Sequence, residues 1–180
     1  MLTQRRSLLL GLAAVALAGC ASSPSLFRIQ DPSADLHAYR TFAFLAPSSH
    51  PSIIERRLFD ATRRQLEQRG YVFDDDVLVP DLLVSVRGGM EERHGLRRAP
   101  GYLPGSEGVE TEDYREGRLG IDLIDSRRRE VIWSGLAEGR LSDAMLRDTG
   151  AAADKAVAKI FEGFPIKAGT RASETKAPAP

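Results

Sequence analysis

Residues 117–141, GRLGIDLIDSRRREVIWSGLAEGRL, decide how this chain folds. From 117 to 125 the apolar side chains alternate with polar or small ones, which is the period of a half-buried β-strand. Residues 130–141 continue as a partner strand around Trp133. Because the residues that link the two strands are few and polar, the stretch predicts a β-hairpin.

Further strands are predicted on the N-terminal side of this hairpin. Residues 41–45 are aromatic and end before Pro47, and residues 71–73 form a second short strand. Residues 82–86 are apolar apart from Ser85, which predicts a central strand buried on both faces. Together with the hairpin, these stretches predict a mostly antiparallel sheet of about five strands.

Two amphipathic helices complete the pattern. Ser52 caps the first helix and Glu55 follows it as in a capping box, while Gly70 ends the helix. The second helix ends at Pro165 and presents one apolar face, made of Ala153, Val157, Ile160, Phe161 and Phe164. Two such helices packed on one face of a sheet define an α+β fold.

The N-terminus has the pattern of a secretory signal. A basic start precedes about ten apolar residues and then small residues. The end of this segment resembles the lipobox of bacterial lipoproteins: Leu17, Ala18 and Gly19 precede the only cysteine, Cys20. The resemblance implies cleavage before Cys20 and attachment of fatty acyl chains such as palmitate. Since each buried methylene contributes about 0.8 kcal/mol, two or three chains hold a protein firmly on a membrane.

Residues beside the cysteine bear on export and location. Ala21 follows it rather than aspartate, and by resemblance to Gram-negative lipoproteins this implies the periplasmic face of the cell outer membrane. The arginine pair at residues 5–6 is similar to a twin-arginine signal but is also common in ordinary signals, so both export routes stay open. No apolar run reaches the roughly 18 residues that a spanning helix needs.

The chain divides into four parts: a signal peptide (1–19), the lipidated cysteine with a flexible tether (20–34), a single α+β domain (35–165) and a disordered tail (166–180). About 130 residues suit one hydrophobic core. The tether is expected to pair as a short edge strand near Phe27. After Ile166 no apolar side chain is larger than alanine, which predicts disorder.

Composition excludes several classes of protein. The 25 basic and 25 acidic residues give a net charge of zero, so no nucleic acid is expected as a partner. A single cysteine excludes a disulfide framework. The three histidines, His37, His50 and His94, lie in loop-like sequence, and no serine occupies a G-x-S-x-G turn. We therefore predict no catalytic residue, no cofactor and no metal site.

A glycine-rich segment at residues 88–117 is predicted to be a long loop inside the domain. A basic half with Arg97 and Arg98 precedes Tyr102 and an acidic half. Long loops are often functional, and this one suits a cell-wall glycan or an envelope protein, with plain disorder as the alternative.

The predicted hairpin turn carries a second weak candidate for an interaction surface, Arg127, Arg128 and Arg129. Arginines near an anionic membrane contribute about 1 kcal/mol each. The alternative is an exposed turn that blunts the edge of the sheet.

Four segments together resemble a family of bacterial lipoproteins, the domain of unknown function 4136: residues 35–45 (DLHAYRTFAFL), 80–86 (PDLLVSV), 114–125 (YREGRLGIDLID) and 131–135 (VIWSG). The resemblance implies an envelope lipoprotein with an α+β fold and no established chemistry. Gly120 stands where a larger apolar residue is expected, which indicates a bulge or a close approach of the backbone.

Three functions are compatible with these features. The first is a lipid-anchored, non-enzymatic binding or assembly module, which predicts an apolar patch or groove between the sheet edge and the 88–117 loop. The second is a hydrolase that uses this loop as a lid, which predicts His94 or an acid of the loop against a pocket. The third is a purely structural envelope lipoprotein, which predicts neither. We favour the first.

Overall fold

The computed structural model describes residues 24–45, 51–75, 79–103, 105–164 and 168. The strands in this part of the chain are β1 Ser25–Gln30, β2 Thr41–Phe44, β3 Val72–Phe73, β4 Leu82–Pro100, β5 Glu107–Asp125 and β6 Glu130–Arg140. The helices are α1 Ile53–Glu67, α2 Asp143–Arg147 and α3 Thr149–Phe161, with a short 3-10 helix at Leu36–Ala38. Within these ranges, no helix combines the length and the apolar character of a membrane span.

The strands form one mixed sheet in the order β1-β6-β5-β4-β2-β3. The pairs β1–β6, β6–β5 and β5–β4 are antiparallel, whereas β2 is parallel to both β3 and β4. Helix α1 connects β2 to β3, and such a helical crossover is what a parallel neighbour requires. The described sheet therefore has six strands rather than about five, and three α-helices accompany it rather than two.

Local signals in the sequence place the predicted helix α1 and the hairpin β5–β6 correctly. The Glu55 N–H donates to Ser52 Oγ at 3.2 Å, and the Ser52 N–H donates to Glu55 Oε2 at 2.6 Å, which completes the capping box. Gly70 ends the helical segment with φ +87°. The register of β5 with β6 shifts between Leu123 and Ile124, where β6 carries the extra residue Ile132. Gly120 pairs regularly with Arg87 and Leu136 and does not mark this bulge.

The predicted loop at 88–117 is wrong. Strands β4 and β5 continue through it in unbroken register as far as Pro100 opposite Glu107, and only residues 101–106 connect them. We call residues 91–100 and 107–116 the arm. Its residues are mostly exposed on both faces, so they lack the apolar alternation by which a strand is recognised.

The expectation for the start of β4 is corrected. Leu82 and Val84 are buried, but Leu83, Ser85 and Val86 are only partly covered, so β4 is not buried on both faces at its start.

The short edge strand expected near Phe27 is confirmed. Every residue of β1 pairs with β6, and β1 lies at one edge of the sheet, so the tether is ordered at 25–30.

The tail prediction is wrong at Ala168, whose N–H donates to the Arg69 carbonyl at 2.9 Å. The signal peptide 1–19 with its lipobox residues, Cys20, His50, and the rest of the tail apart from Ala168 lie outside the described residues.

The hydrophobic core lies between the sheet and helices α1 and α3, which pack against each other on one face. At one end of this layer the Trp133 ring stacks on Phe161 with centroids 5.5 Å apart and meets Phe164 edge-on at 5.0 Å. Tyr71 joins the same cluster through Phe164. We call this the aromatic end of the core, and burial of such large side chains contributes most of the stability of a small domain.

Candidate ligand-binding groove

An apolar groove opens at the other end of the helix–sheet layer, at the base of the arm. Its volume is about 520 Å³, which lies in the range of roughly 300–1,000 Å³ typical of small-molecule sites. The buried side chains of Leu58, Leu119 and Ala153 separate the groove from the closed core.

Two rows of the sheet form the floor of the groove. Gly88, Leu119 and Ala137 are neighbours across strands β4, β5 and β6 in one row, and Met90, Gly117 and Gly139 are neighbours in the next. A Cβ atom at Gly117 would lie 2.9 Å from Leu141 Cδ2. Glycine is therefore needed there for the wall to approach the floor.

The walls come from the three helices and the segment before α2. Their apolar members are Ile54 and Leu58 of α1, Leu141, Met145 and Leu146 in and before α2, and Ala152, Ala153 and Ala156 of α3. The small alanine side chains of α3 leave the groove open where larger residues would fill it. Pro24, directly before β1, closes one side against Gly139.

The lining has a simple chemistry. Among the described residues that line the groove, Thr149 supplies the one hydroxyl, and there is no aromatic ring, amide or histidine. The charged members are Glu55, Arg115, Arg118, Glu138, Arg140, Lys155 and Lys159. Four of the cations are paired within the protein: Arg115 with Glu92, Arg118 with Glu138, Arg140 with Glu112 and Lys159 with Glu162.

Arg97 and Arg98, the charged candidates on the arm, form ion pairs with acids of the arm and do not line the groove. Arg97 Nη2 lies 2.6 Å from Glu110 Oε2, and Arg98 Nη1 lies 3.2 Å from Glu107 Oε2. These pairs join the basic strand β4 to the acidic strand β5. Tyr102 is fully exposed at the tip of the arm.

His94 also lies on the arm, where its Nδ1 is 2.6 Å from Asp113 Oδ1, and it does not line the groove. No group of three or more His, Cys, Asp or Glu residues within the described ranges is arranged to hold a metal ion.

The arginine turn lies at the far end of β6 from Pro24 and has an internal structural role. Asp125 accepts hydrogen bonds from Tyr39 Oη at 2.8 Å, from Arg128 Nε at 3.1 Å, and from the N–H groups of Arg127 and Arg128. Burial alone would raise the pKa of the Asp125 carboxyl, but these hydrogen bonds outweigh it and hold the pKa below the ordinary value. Arg128 is thus a turn-forming residue, while Arg127 and Arg129 are exposed.

No residue of the groove was singled out in the sequence as a binding residue. The sequence does contain its signals: glycines at 88, 117 and 139 interrupt strand patterns, and alanines at 152, 153 and 156 form one face of α3. These small residues meet only because the register of the strands aligns them. The register of β4 with β5 involves residues 88–117, whose sequence predicts a loop.

The fold and the groove define a small α+β domain in which one helical layer covers a mixed sheet. The family model described as "Domain of unknown function (DUF4136)" matches residues 29–166, and this chain belongs to that family. The family resemblance read from the sequence is confirmed.

Two solved structures share this fold. A DUF4136 family protein from Bacteroides thetaiotaomicron is 16% identical with a TM-score of 0.55, and the match covers 79% of this chain and 96% of that chain. A PDZ domain protein from Parabacteroides distasonis is 15% identical with a TM-score of 0.56, covering 79% of this chain but only 37% of that chain. At such identities the likeness shows the fold alone. No curated protein matches this chain in sequence.

Proposed function

We propose that this protein is an envelope lipoprotein, anchored through Cys20 at the periplasmic face of the outer membrane, whose domain binds an apolar ligand without enzymatic chemistry. The observation that carries the binding role is the apolar groove of about 520 Å³ at the base of the arm. A binding module is expected to have such a concave apolar site, whereas a purely structural lipoprotein is not.

The positions of the charged residues support binding over hydrolysis. A lid enzyme is expected to bring His94 or an acid of the 88–117 segment against the pocket. His94 and Asp113 instead pair with each other on the exposed arm, with side chains 77% and 79% exposed. No hydrogen bond joins Thr149, the one hydroxyl of the described lining, to a basic or acidic side chain, so the described lining shows no paired nucleophile and base.

The proposed anchor is close in sequence to a residue that lines the groove. Pro24 lines the groove, and Cys20 precedes it by four positions, a span of at most about 14 Å in a fully extended chain. By contrast, the turn with Arg127 and Arg129 lies at the other end of β6, roughly 30 Å from Gly139 along the strand. We therefore assign the membrane-facing side to the groove end and not to the arginine turn.

For the partner we propose a chemical class and not a particular molecule. A cell-wall glycan is typically bound by aromatic platforms and by free hydrogen-bonding groups, whereas the described lining has no aromatic ring or amide and four of its five cations are already in ion pairs. An envelope protein is the better candidate for the arm, whose Leu96, Tyr102 and Val109 are exposed.

The anchor is tested by replacing the cysteine. Cys20→Ser is expected to abolish labelling by a fatty-acid probe and to release the protein from the membrane fraction. Recovery of an unmodified Cys20 peptide from the natural protein by mass spectrometry would contradict the anchor.

The groove is tested by filling it. Ala152→Phe directs a ring into the groove, whereas Ala151→Phe adds the same ring at an exposed position of α3 outside it. With a solvent-sensitive apolar dye as the probe, we expect Ala152→Phe to weaken binding at least about tenfold and Ala151→Phe to leave it unchanged. Equal binding by all three proteins would contradict the groove as the binding site.

A further inference from the structure

We infer that the groove accepts the acyl chain of an anionic membrane phospholipid, with the phosphate of the headgroup held at Lys155 and Lys159 on its rim. This inference rests on the proposed function, because it uses the lipid anchor to bring the groove to the membrane. It deepens that function by assigning the chemical class of the ligand.

The chemistry of the lining selects an alkyl chain. Buried polar groups of a ligand cost free energy unless they find hydrogen-bond partners, so a sugar, a nucleotide or a peptide needs polar groups along its site. Apart from its charged residues, the described lining supplies only aliphatic side chains, two thioethers, glycines and the Thr149 hydroxyl, and four of its five cations are already held in ion pairs. An acyl chain has no hydrogen-bonding group to satisfy, and it can cover the apolar lining and remove it from water.

The walls suit a flexible and variable ligand. Met90 lies on the floor and Met145 on the facing wall. Methionine side chains adapt to irregular shapes because they are unbranched and polarizable. Acyl chains that differ in length and unsaturation can therefore be accepted by the same lining.

The rim suits a negatively charged headgroup. Lys155 and Lys159 are four residues apart on α3, on the face that carries Ala152 and Ala156 into the groove. Lys155 is exposed and makes no ion pair with any residue that the structure describes, while Lys159 pairs with Glu162 at 2.8 Å. The other four lining cations are balanced by acid partners, so Lys155 is the one lining cation without an ion pair among the described residues and is the group that would attract an anion.

The proposed lipid anchor would bring the groove close to the membrane, which is the source of the phospholipid. Pro24 forms part of the rim, and a lipidated Cys20 would hold this rim within about 14 Å of the bilayer surface. A phospholipid chain then exchanges one apolar surrounding for another, while the apolar lining of the groove loses its contact with water. The transfer is favourable for that reason, and tethering keeps the local lipid concentration high.

Photocrosslinking of the full-length lipidated protein in vesicles tests this inference. The vesicles contain phosphatidylglycerol with a photoactivatable group in one acyl chain, and crosslinked peptides are identified by mass spectrometry. We expect crosslinks in peptides that carry Met90, Met145 and Ala152. Ala152→Phe is expected to reduce them at least about fivefold, while Ala151→Phe leaves them unchanged, with circular dichroism showing that both variants are folded.

A second lipid probe, with a different headgroup, tests the role assigned to the two lysines. The same probe made with phosphatidylcholine is expected to crosslink about threefold less, and the double change Lys155→Gln and Lys159→Gln is expected to remove this difference. Equal crosslinking by the two probes in the unaltered protein would overturn the role of the lysines.

The outcomes separate this inference from the function on which it rests. If mass spectrometry shows a lipidated Cys20 but crosslinks fall only near residue 20, or are unchanged by Ala152→Phe, the inference is overturned and the anchor stands. If the groove crosslinks only in Cys20→Ser protein added to the same vesicles, the protein's own acyl chains occupy the groove, and the inference is equally overturned. An unmodified Cys20 overturns the anchor itself.

Discussion

The two ends of the layer between helices and sheet have the same architecture but different contents. At the aromatic end, the rings of Trp133, Phe161 and Phe164 fill the space, and a Cβ atom at Gly135 would lie 2.7 Å from the Trp133 ring. At the groove end, Gly117 lets Leu141 approach the sheet, and the small side chain of Ala152 lines the open groove.

The difference shows that side-chain volume, and not the backbone, decides which part of the layer becomes core. Protein interiors are normally packed as densely as organic crystals, so an open apolar site exposes surface that folding would otherwise bury. A chain that is selected for stability alone would fill this end. The groove end is therefore where we expect the ligand, and the aromatic end is where we expect the stability.

The largest effect is expected from opening the aromatic end. Trp133→Ala removes the ring that contacts both Phe161 and Phe164 and leaves a cavity, which costs about 3–5 kcal/mol of unfolding free energy. Chemical denaturation monitored by far-ultraviolet circular dichroism measures it. A loss of unfolding free energy below about 1 kcal/mol would contradict the conclusion that the aromatic end supplies most of the stability.

A smaller effect is expected at Asp125, which ties the β5–β6 turn to Tyr39. Asp125→Ala leaves the partly buried Tyr39 hydroxyl and two N–H groups without this acceptor, at a cost of about 1–3 kcal/mol. Because the folded-state pKa of Asp125 is lowered, its contribution is present above the ordinary carboxyl pKa and is lost as the pH falls through the folded value. Acid titration of stability should therefore be flatter in the variant, and an unchanged acid dependence would contradict the assigned role.

Among substitutions in the layer between helices and sheet, we expect one that fills the groove end to change the unfolding free energy least. Ala152→Phe enters open space and should alter the unfolding free energy by less than about 1 kcal/mol, because overpacking strain needs a neighbour to strain against. Thermal unfolding, with Ala151→Phe as the reference, measures it. A loss comparable to that of Trp133→Ala would show that this end is packed after all.

The smallest effect is expected on the arm, beyond the groove. Arg97 and Glu110 are 54% and 58% exposed, and such ion pairs contribute about 0.2–1 kcal/mol, less as salt is added. A double-mutant cycle with Arg97→Ala and Glu110→Ala measures the coupling energy. A coupling above about 2 kcal/mol that persists at high salt would place this pair among the main determinants of stability.

Elements whose burial leaves a pattern are predictable from the sequence. The capping box at Ser52, the hairpin around Trp133 and the apolar face of the last helix are all local or periodic signals. The arm is not predictable in this way, since charged and glycine-rich strands that are exposed on both faces carry no period-two signal. The parallel pairing of β2 has no local signal either, because it depends on how α1 crosses over the sheet.

The groove could not be predicted for a related reason. Its small residues belong to strands and helices that are far apart in sequence, and they come together only through the register of three strands. The anchor motif around Cys20 was predictable because a peptidase and an acyltransferase read it as a linear signal.

The most direct test of the account uses the methionines. The sequence has three, Met1, Met90 and Met145, and the last two line opposite sides of the groove. In a chain beginning at Ala21 and labelled with carbon-13 in the methionine methyl groups, Met90→Leu and Met145→Leu assign the two signals. We predict that titration with a short-chain phosphatidylglycerol shifts both signals with one dissociation constant, and that Ala152→Phe abolishes the shifts. Signals that stay unchanged at saturating lipid would contradict the groove as a lipid site.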